Sequence, residues 1–277
     1  MSEKHPYKVY FEPELESASL AVGWHEDAGA LGARVLDYMN EKLGGKEFAE
    51  IEPEDFFPLG GVSVEDDVAQ FPESKFYCCP ENNLLIFKGN VPRTEWYKYL
   101  NLVLDIAENH CHVEELYTVG GMIYLGAHTT PREILAIANS PDMKAVLSQY
   151  DMAGNIDYES QLGQRPTLNA FLLWVAKRRN IAGANLWVPI PFYLVPAGDP
   201  KAWRKILDFL DIRFDLGIDF TELDEHIASH NNRIAQLRSY SPEVDGYISK
   251  LESNQTLTQE EYDRLANEVQ EFLRDRD

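Results

Sequence analysis

Residues 19–45, SLAVGWHEDAGALGARVLDYMNEKLGG, contain a strand, a turn and a helix in succession. The first six residues form a short apolar run that is typical of a buried strand. Apolar side chains then recur with a helical period at Leu31, Val35, Tyr38 and Met39, and Gly44-Gly45 is a helix stop signal. We therefore expect one strand, turn and helix unit, with residues 25–29 in the turn.

The same alternation continues on the C-terminal side of this unit. Three further apolar runs predict buried strands: residues 84–89, 115–119 and 184–188. Four helices are predicted around them, each opened by a capping residue or a proline: residues 94–107, 130–138, 166–179 and 199–210. Strands that alternate with helices imply crossover connections. We therefore predict an α/β fold, a three-layer α/β/α sandwich with a largely parallel central sheet.

The C-terminal part of the chain has a different pattern. From residue 219 onward the strand signals vanish, and the apolar residues follow a helical period as far as Phe272. Acidic side chains also outnumber basic ones in this segment. We predict an α/β/α domain at residues 1–218 and an acidic helical C-terminal appendage at residues 219–277.

Composition narrows the class of protein. The chain has 277 residues and a formal net charge of -21, which argues against nucleic acid or an anionic membrane as a partner. It contains no apolar run of the roughly 18 residues that span a membrane, so we expect a cytoplasmic protein. Cys78, Cys79 and Cys111 lack the C-x-x-C spacing of a zinc site, and we expect reduced thiols and no bound metal.

Candidate ligand-binding residues lie in two loops that follow predicted strands. Ligands in parallel α/β sheets usually bind at the carboxyl ends of the strands, where helix N-termini supply N–H donors. On this basis we predict a pocket formed by Trp24, His25, Asp27, Gly29, Gly120, Gly121, His128 and Thr130. In the alternative interpretation Asp27 caps the helix, the glycines form turns and the histidines are exposed.

Familiar catalytic motifs are absent from the sequence. It has no G-x-G-x-x-G dinucleotide fingerprint, no G-x-x-x-x-G-K-[ST] phosphate loop and no G-x-S-x-G nucleophile elbow. We therefore predict no catalytic residue and no cofactor. Trp187, Phe192 and Tyr193 lie among prolines, and they form either an adhesive surface or ordinary core packing.

Several segments, in this order, resemble landmarks of the proteasome-assembly-chaperone type-2 family. They are GWHEDAGALG at 23–32, IEPEDFF at 51–57, Val119-Gly120-Gly121, Thr129-Thr130-Pro131-Arg132 and ANLWVPIPFY at 184–193. One departure is the stretch 162–167, LGQRPT, where relatives carry a glycine-rich loop. Members of this family are often grouped loosely with ATP-grasp proteins.

The resemblance implies a phosphorylase/hydrolase-like fold and a homo-oligomer, such as a trimer or a larger assembly. It also implies a protein partner, either proteasome-related or of another kind. Our first hypothesis is therefore an oligomeric protein-binding factor without a catalytic motif. The alternative is an enzyme or a small-molecule binder that takes a nucleotide-like or phosphate-like ligand at the strand ends.

Overall fold

A computed structural model describes residues 6–57, 63–65, 67–154, 156–157 and 166–274. The strands are β1 (Tyr7–Val9), β2 (Ser19–Trp24), β3 (Lys46–Ile51), β4 (Ser63–Glu65), β5 (Val68–Gln70), β6 (Ser74–Cys79), β7 (Leu84–Gly89), β8 (Glu115–Tyr124), β9 (Leu135–Ala138) and β10 (Ala182–Pro191). The helices are α1 (Leu31–Leu43), α2 (Trp96–Cys111), α3 (Pro141–Leu147), α4 (Leu168–Arg178), α5 (Pro200–Phe214), α6 (Thr221–Tyr240), α7 (Pro242–Glu252) and α8 (Gln259–Arg274).

Eight of these strands form one mixed sheet in the order β1-β3-β6-β7-β2-β8-β10-β9, and β4 and β5 form a separate hairpin. Only β7, β2, β8 and β10 run parallel to their neighbours, whereas the pairings β1-β3, β3-β6, β6-β7 and β10-β9 are antiparallel. Four of the seven pairings are therefore antiparallel, and the prediction of a largely parallel sheet is wrong.

The antiparallel half arises because β3, β6 and β7 have no α-helix between them. A parallel crossover needs a connection of a dozen or more residues, usually a helix, whereas a short turn returns the chain antiparallel. Between β6 and β7 that turn is a single 3-10 turn at Pro80–Asn82 followed by Asn83 in the left-handed region. The sequence pattern does not predict β6, so the antiparallel arrangement of β3, β6 and β7 was not expected.

The helix predicted at residues 130–138 is also wrong, because Leu135–Ala138 forms strand β9 along β10. The side chain of Asn139 ends the strand by accepting from the N–H of Gly183 and donating to the carbonyl of Ile181. The cap and proline signals at Thr130 and Pro131 lead only into a turn, in which the N–H of Thr130 donates to Ala127.

Helices cover both faces of the sheet. One face packs against α1 and α5, as shown by Ala21 in a buried cluster with Val35 and Ile206. The other face packs against α2 and α4, where the neighbouring Leu20 lies in a cluster with Leu100. This alternation of side chains along β2 follows from the two-residue repeat of a strand, and it produces a three-layer arrangement.

The C-terminal helices α6, α7 and α8 form as expected from their apolar period. They pack on the same layer as α1 and α5, because Ile234, Ile248 and Val269 belong to the same buried cluster. Tyr262 of α8 also stacks on Phe192, with ring centroids 3.9 Å apart. The division into domains at residues 218 and 219 stays a prediction. Within the described part of the chain, every helix is too short or too polar to cross a bilayer.

Candidate functional site

Asp27 lies between β2 and α1, at the carboxyl ends of the parallel strands. Its Oδ2 accepts the N–H of Gly32 at 3.0 Å and the N–H of Gly121 at 2.8 Å. Its Oδ1 is buried and has no hydrogen-bond partner in the described structure. One carboxylate therefore ties the first turn of α1 to strand β8.

The glycines around Asp27 are required by close backbone approach. A Cβ at Gly121 would lie 2.1 Å from the carbonyl oxygen of Ala28, and a Cβ at Gly32 would lie 2.6 Å from that of Val119. Gly29 has a φ of 68°, a conformation that favours glycine. Chain segments that touch this closely leave little room for a ligand between them.

The burial of Asp27 also changes its acidity. Burial raises the pKa of Asp27 to about 6, although the N–H donors of Gly32 and Gly121 act in the opposite direction. A carboxyl group with this pKa exchanges its proton near neutral pH, which is the property of a general acid or base. Its Oδ2, however, is already occupied by two backbone donors.

Trp24 and Gly120 connect this region to α4. The Nε1–H of Trp24 donates to Oδ1 of Asn169, a buried side chain in the first turn of α4. A Cβ at Gly120 would lie 3.3 Å from Nδ2 of Asn169 and 3.3 Å from the ring of Trp187. Asn169 was not among the predicted site residues, although a polar side chain next to the apolar stripe of a predicted helix is a usable signal.

His128 and Thr130 lie in a different environment from Asp27. The ring of His128 is buried, and its Nδ1 lies 2.8 Å from the hydroxyl of Tyr193, which also accepts the backbone N–H of His128. Burial lowers the pKa of His128 to about 4, so the ring is neutral and shares one hydrogen bond with the Tyr193 hydroxyl through Nδ1. Thr130 is exposed, and its carbonyl accepts from Arg132.

The predicted pocket residues therefore divide into groups. Trp24, Asp27, Gly29, Gly120 and Gly121 come together, because one set of close contacts and hydrogen bonds links them. The second group, His128 and Thr130, bonds elsewhere. His25 is half-buried, and its backbone N–H pairs with the carbonyl of Gly89. Whether any of these residues binds a ligand stays a prediction.

A buried ion pair lies beside His128. Nε of Arg132 is 2.6 Å from Oδ2 of Asp199, and both side chains are almost fully buried. Asp199 also caps α5 by accepting the N–H of Lys201 at 3.1 Å. The cap at Asp199 was visible in the sequence, but its partner was not, because 67 residues separate the two. This pair joins the loop after β8 to the start of α5.

A cluster of three aromatic residues lies on the outer side of α2 and α4, with Tyr97 and Trp174 exposed and Phe171 partly buried. We call Tyr97, Phe171 and Trp174 the aromatic face. The rings of Phe171 and Trp174 are stacked, with centroids 5.4 Å apart and planes 4° apart. The Tyr97 ring is 6.0 Å from Trp174. Tyr97 is 50% exposed and Trp174 is 43% exposed. The guanidinium of Arg178 lies 5.1 Å from the Trp174 ring.

Neither the cysteines nor the proline-flanked aromatics provide a reactive or adhesive site. The three cysteines are buried and free, and burial raises the thiol pKa of Cys79 and Cys111 to about 12. Phe192 and Tyr193 are buried, which favours the core interpretation of that aromatic group. The described residues include no cluster of three or more potential metal ligands.

This chain is similar to one family model and to several solved structures. The sequence model of the PAC2 family matches residues 21–238. A search of curated protein sequences found no match. Among solved structures, a PAC2 family protein from Streptomyces avermitilis is 19% identical with a TM-score of 0.68, and the alignment covers 85% of this chain and 99% of that one.

Two further structures have the same fold. A Mycobacterium tuberculosis protein of unknown function is 18% identical with a TM-score of 0.75, covering 99% of this chain and 98% of that one. An archaeal proteasome activator from Pyrococcus furiosus is 21% identical with a TM-score of 0.67, covering 84% and 98%. None of these matches supports a grouping with ATP-grasp proteins. The PAC2 family model covers most of the sequence. The chain therefore belongs to the PAC2 family.

Proposed function

We propose that this protein is a chaperone-like factor that acts by binding other protein subunits. The observation that carries the proposal is the PAC2 family match over residues 21–238. Solved structures that match this chain include one described as a proteasome activator and one described as a proteasome-assembly chaperone homologue. The partner class we favour is therefore a proteasome-related subunit, and the location is the cytoplasm.

The internal chemistry of the strand ends supports a binding role over a catalytic one. The Oδ2 of Asp27 accepts two backbone N–H groups, and the ring of His128 bonds to Tyr193. These groups hold loops together, so their polar atoms are largely used within the protein.

The aromatic face supplies a surface for such binding. Aromatic residues and arginine are enriched in the centres of protein interfaces, where they contribute most of the binding energy. Tyr97, Trp174 and Arg178 have this composition, and the first two are about half exposed. We propose that this face contacts the partner subunit.

The decisive experiment measures capture of purified proteasome α-type subunits from the same cell by the tagged protein. The double variant Tyr97→Ser/Trp174→Ser removes the aromatic face, and Tyr240→Ser removes a tyrosine that is 76% exposed on α6. We expect the double variant to lose at least tenfold in affinity while Tyr240→Ser binds normally. Equal binding by all three proteins, or no binding by the unaltered protein, would rule out the proposal.

We further propose a homo-oligomer, such as a trimer or a larger assembly, with a phosphorylase/hydrolase-like fold. The support is the family resemblance of the sequence motifs. Native mass spectrometry at micromolar concentration tests the oligomeric state. A monomer under these conditions contradicts that part of the proposal.

A small-molecule site at the strand ends is the second candidate function. It is favoured by the Asp27 carboxyl, which has a pKa raised to about 6 and a buried Oδ1 without a partner. A ligand present at 100 times its dissociation constant stabilises a protein by about 2.7 kcal/mol. Thermal-shift measurements with nucleotides and inorganic phosphate should therefore show a clear shift for the unaltered protein and a smaller one for Asp27→Ala. A flat response excludes this function for those ligands.

A further inference from the structure

Strand β9 lies at the edge of the large sheet, with β10 as its strand neighbour on one side. The N–H of Asn139 donates to the carbonyl of Gly183 at 2.9 Å. This bond determines which residues of β9 direct their backbone groups toward β10 and which direct them away from it. Because backbone groups of successive residues point to opposite sides of a strand, Ile137 faces β10 and both Ala136 and Ala138 face outward. The edge of β9 therefore presents backbone donors and acceptors away from the sheet.

Only the first part of this edge is paired. The N–H of Ala153 donates to the carbonyl of Ile134 at 2.9 Å, and Ala153 forms a single parallel bridge with Leu135. Beyond that bridge, the outward N–H and carbonyl of Ala138 have no hydrogen bond within the described residues. Ala153 therefore pairs with the first part of the outer edge of β9, whereas the backbone groups of Ala138 at the other end are available to a further strand.

A groove with a volume of about 800 Å³ runs along this open edge. Its lining includes apolar side chains from β9, α3 and the segment after α3: Ile137, Leu147, Tyr150, Met152 and Ile156. Lys144 is the one charged residue among the lining residues, and its ammonium group has no carboxylate partner in the described structure. In a chain with a net charge of -21, an unpaired cation in an apolar groove favours an acidic group on the occupant.

We propose that this groove binds an extended peptide segment of a partner protein as an additional strand beside β9. Main-chain hydrogen bonds to Ala138 would supply affinity, and alternate apolar side chains would enter the groove. An Asp or Glu side chain of the peptide would pair with Lys144. The inference shares with the proposed function only the requirement for a protein partner, since it uses a surface distinct from the aromatic face.

The shape of the edge argues for a peptide over a second copy of the chain. The open backbone of β9 lies within a groove whose walls are α3, residues 147–154 and Ile156. A second copy would bring the same walls to the contact, with its own Lys144 and no carboxylate among the described lining residues, so it would not supply the acidic group that Lys144 lacks. A separate extended segment carries no such walls.

The experiment uses the full chain and a panel of fluorescein-labelled ten-residue peptides. The panel has valine at alternate positions, threonine between them and one glutamate at each threonine position in turn. We expect at least one peptide to bind with micromolar affinity, measured by fluorescence anisotropy. N-methylation of alternate peptide nitrogens should abolish binding, because it removes the donors that a strand needs.

The charge contact is tested with Lys144→Glu, a change at an exposed position of α3, and Lys177→Glu on α4 is the matched control. Lys144→Glu should weaken binding of the best glutamate peptide at least tenfold, while Lys177→Glu leaves it unchanged. Hydrogen exchange at the Ala138 amide should slow when that peptide is bound. No binding below 1 mM across the panel, or binding that is indifferent to N-methylation, overturns the inference.

This outcome is separable from that of the proposed function. If Lys144→Glu captures proteasome α-type subunits normally and the peptide panel does not bind, the groove inference fails and the proposed function stands. If the peptides bind as expected and the α-type subunits are not captured, the proposed function fails and the groove remains a peptide-binding site.

Discussion

Replacing Asp27 by asparagine should change how the stability of the protein depends on pH. The folded protein holds the pKa of Asp27 at about 6, against 3.8 for an unperturbed aspartate, mainly because the group is buried. This rise of about two pKa units corresponds to about 3 kcal/mol, at about 1.4 kcal/mol per unit. The folded state binds the proton more tightly than the unfolded state, so stability is lost as pH rises from about 4 through 6.

The variant Asp27→Asn cannot ionise, and its amide oxygen can still accept the N–H groups of Gly32 and Gly121. Its amide nitrogen would occupy the position of the unpartnered Oδ1, which costs about 1–3 kcal/mol at every pH. Because this cost does not depend on pH, it cancels when the unfolding free energy of the variant at one pH is subtracted from its value at another. The difference in unfolding free energy between variant and unaltered protein should therefore shift in favour of the variant by about 2 kcal/mol between pH 4 and pH 7.5, because the unfolded carboxyl is already partly ionised at pH 4.

Urea denaturation at half-unit intervals from pH 4 to pH 8 measures this difference, under conditions where both proteins unfold in two states. Glu133→Gln, which removes an exposed carboxyl in the loop before β9, is the control and should run parallel to the unaltered protein. Parallel curves for Asp27→Asn and the unaltered protein would refute the assignment of a raised pKa to Asp27.

Three further predictions concern packing, the buried ion pair and the thiols. Gly121→Ala should destabilise the protein by about 2 kcal/mol or more in the same urea experiment, because its Cβ would overlap the carbonyl of Ala28. The control is Gly246→Ala on α7, where a Cβ meets no atom within 4 Å, and it should be neutral or stabilising. Arg132→Met should cost about 3–5 kcal/mol by leaving Asp199 buried and unpaired, and the double variant with Asp199→Asn should recover part of that loss; equal stability of single and double variants would contradict this. The three buried cysteines should resist a thiol reagent in the native protein and react fully in denaturant, and a fast native reaction would contradict their burial.

The sequence predicted the elements that are stabilised by their own local pattern. The unit β2 and α1 is one example, because apolar periodicity and the Gly44 stop are local signals. The helices α6, α7 and α8 are another. The antiparallel half of the sheet was not predicted, because the sequence of a strand does not specify which neighbour it pairs with. The strands β3, β6 and β7 pair without α-helices between them.

Strand β9 shows how tertiary contacts override local signals. Residues 130–138 contain a cap, a proline and a glutamate in helical order, but Asn139 anchors this segment to Gly183 and Ile181, which are more than 40 residues away. Pairing with β10 gives Leu135–Ala138 a long-range set of backbone partners that a short surface helix would lack. No local pattern contains that information.

The candidate site was predicted in part for the same reason. Asp27 and Gly121 meet because strand ends of a parallel pair lie at one edge of the sheet, which the sequence pattern implied. His128 was assigned to the same pocket, but its bond to Tyr193 depends on a loop geometry that the sequence does not specify. Trp174 was not predicted as a surface residue. It stands between the buried Leu173 and Val175 in the sequence, and an apolar residue in such a run does not indicate exposure.

The most direct test of the account is hydrogen–deuterium exchange of the protein with and without bound proteasome α-type subunits. If the protein acts through its surface, exchange should slow in peptides covering 96–101 and 168–178, which carry the aromatic face. Unchanged exchange in both segments, with slowing confined to residues 24–32 and 119–128 when a nucleotide or phosphate is added, would contradict the account and assign the function to the strand ends.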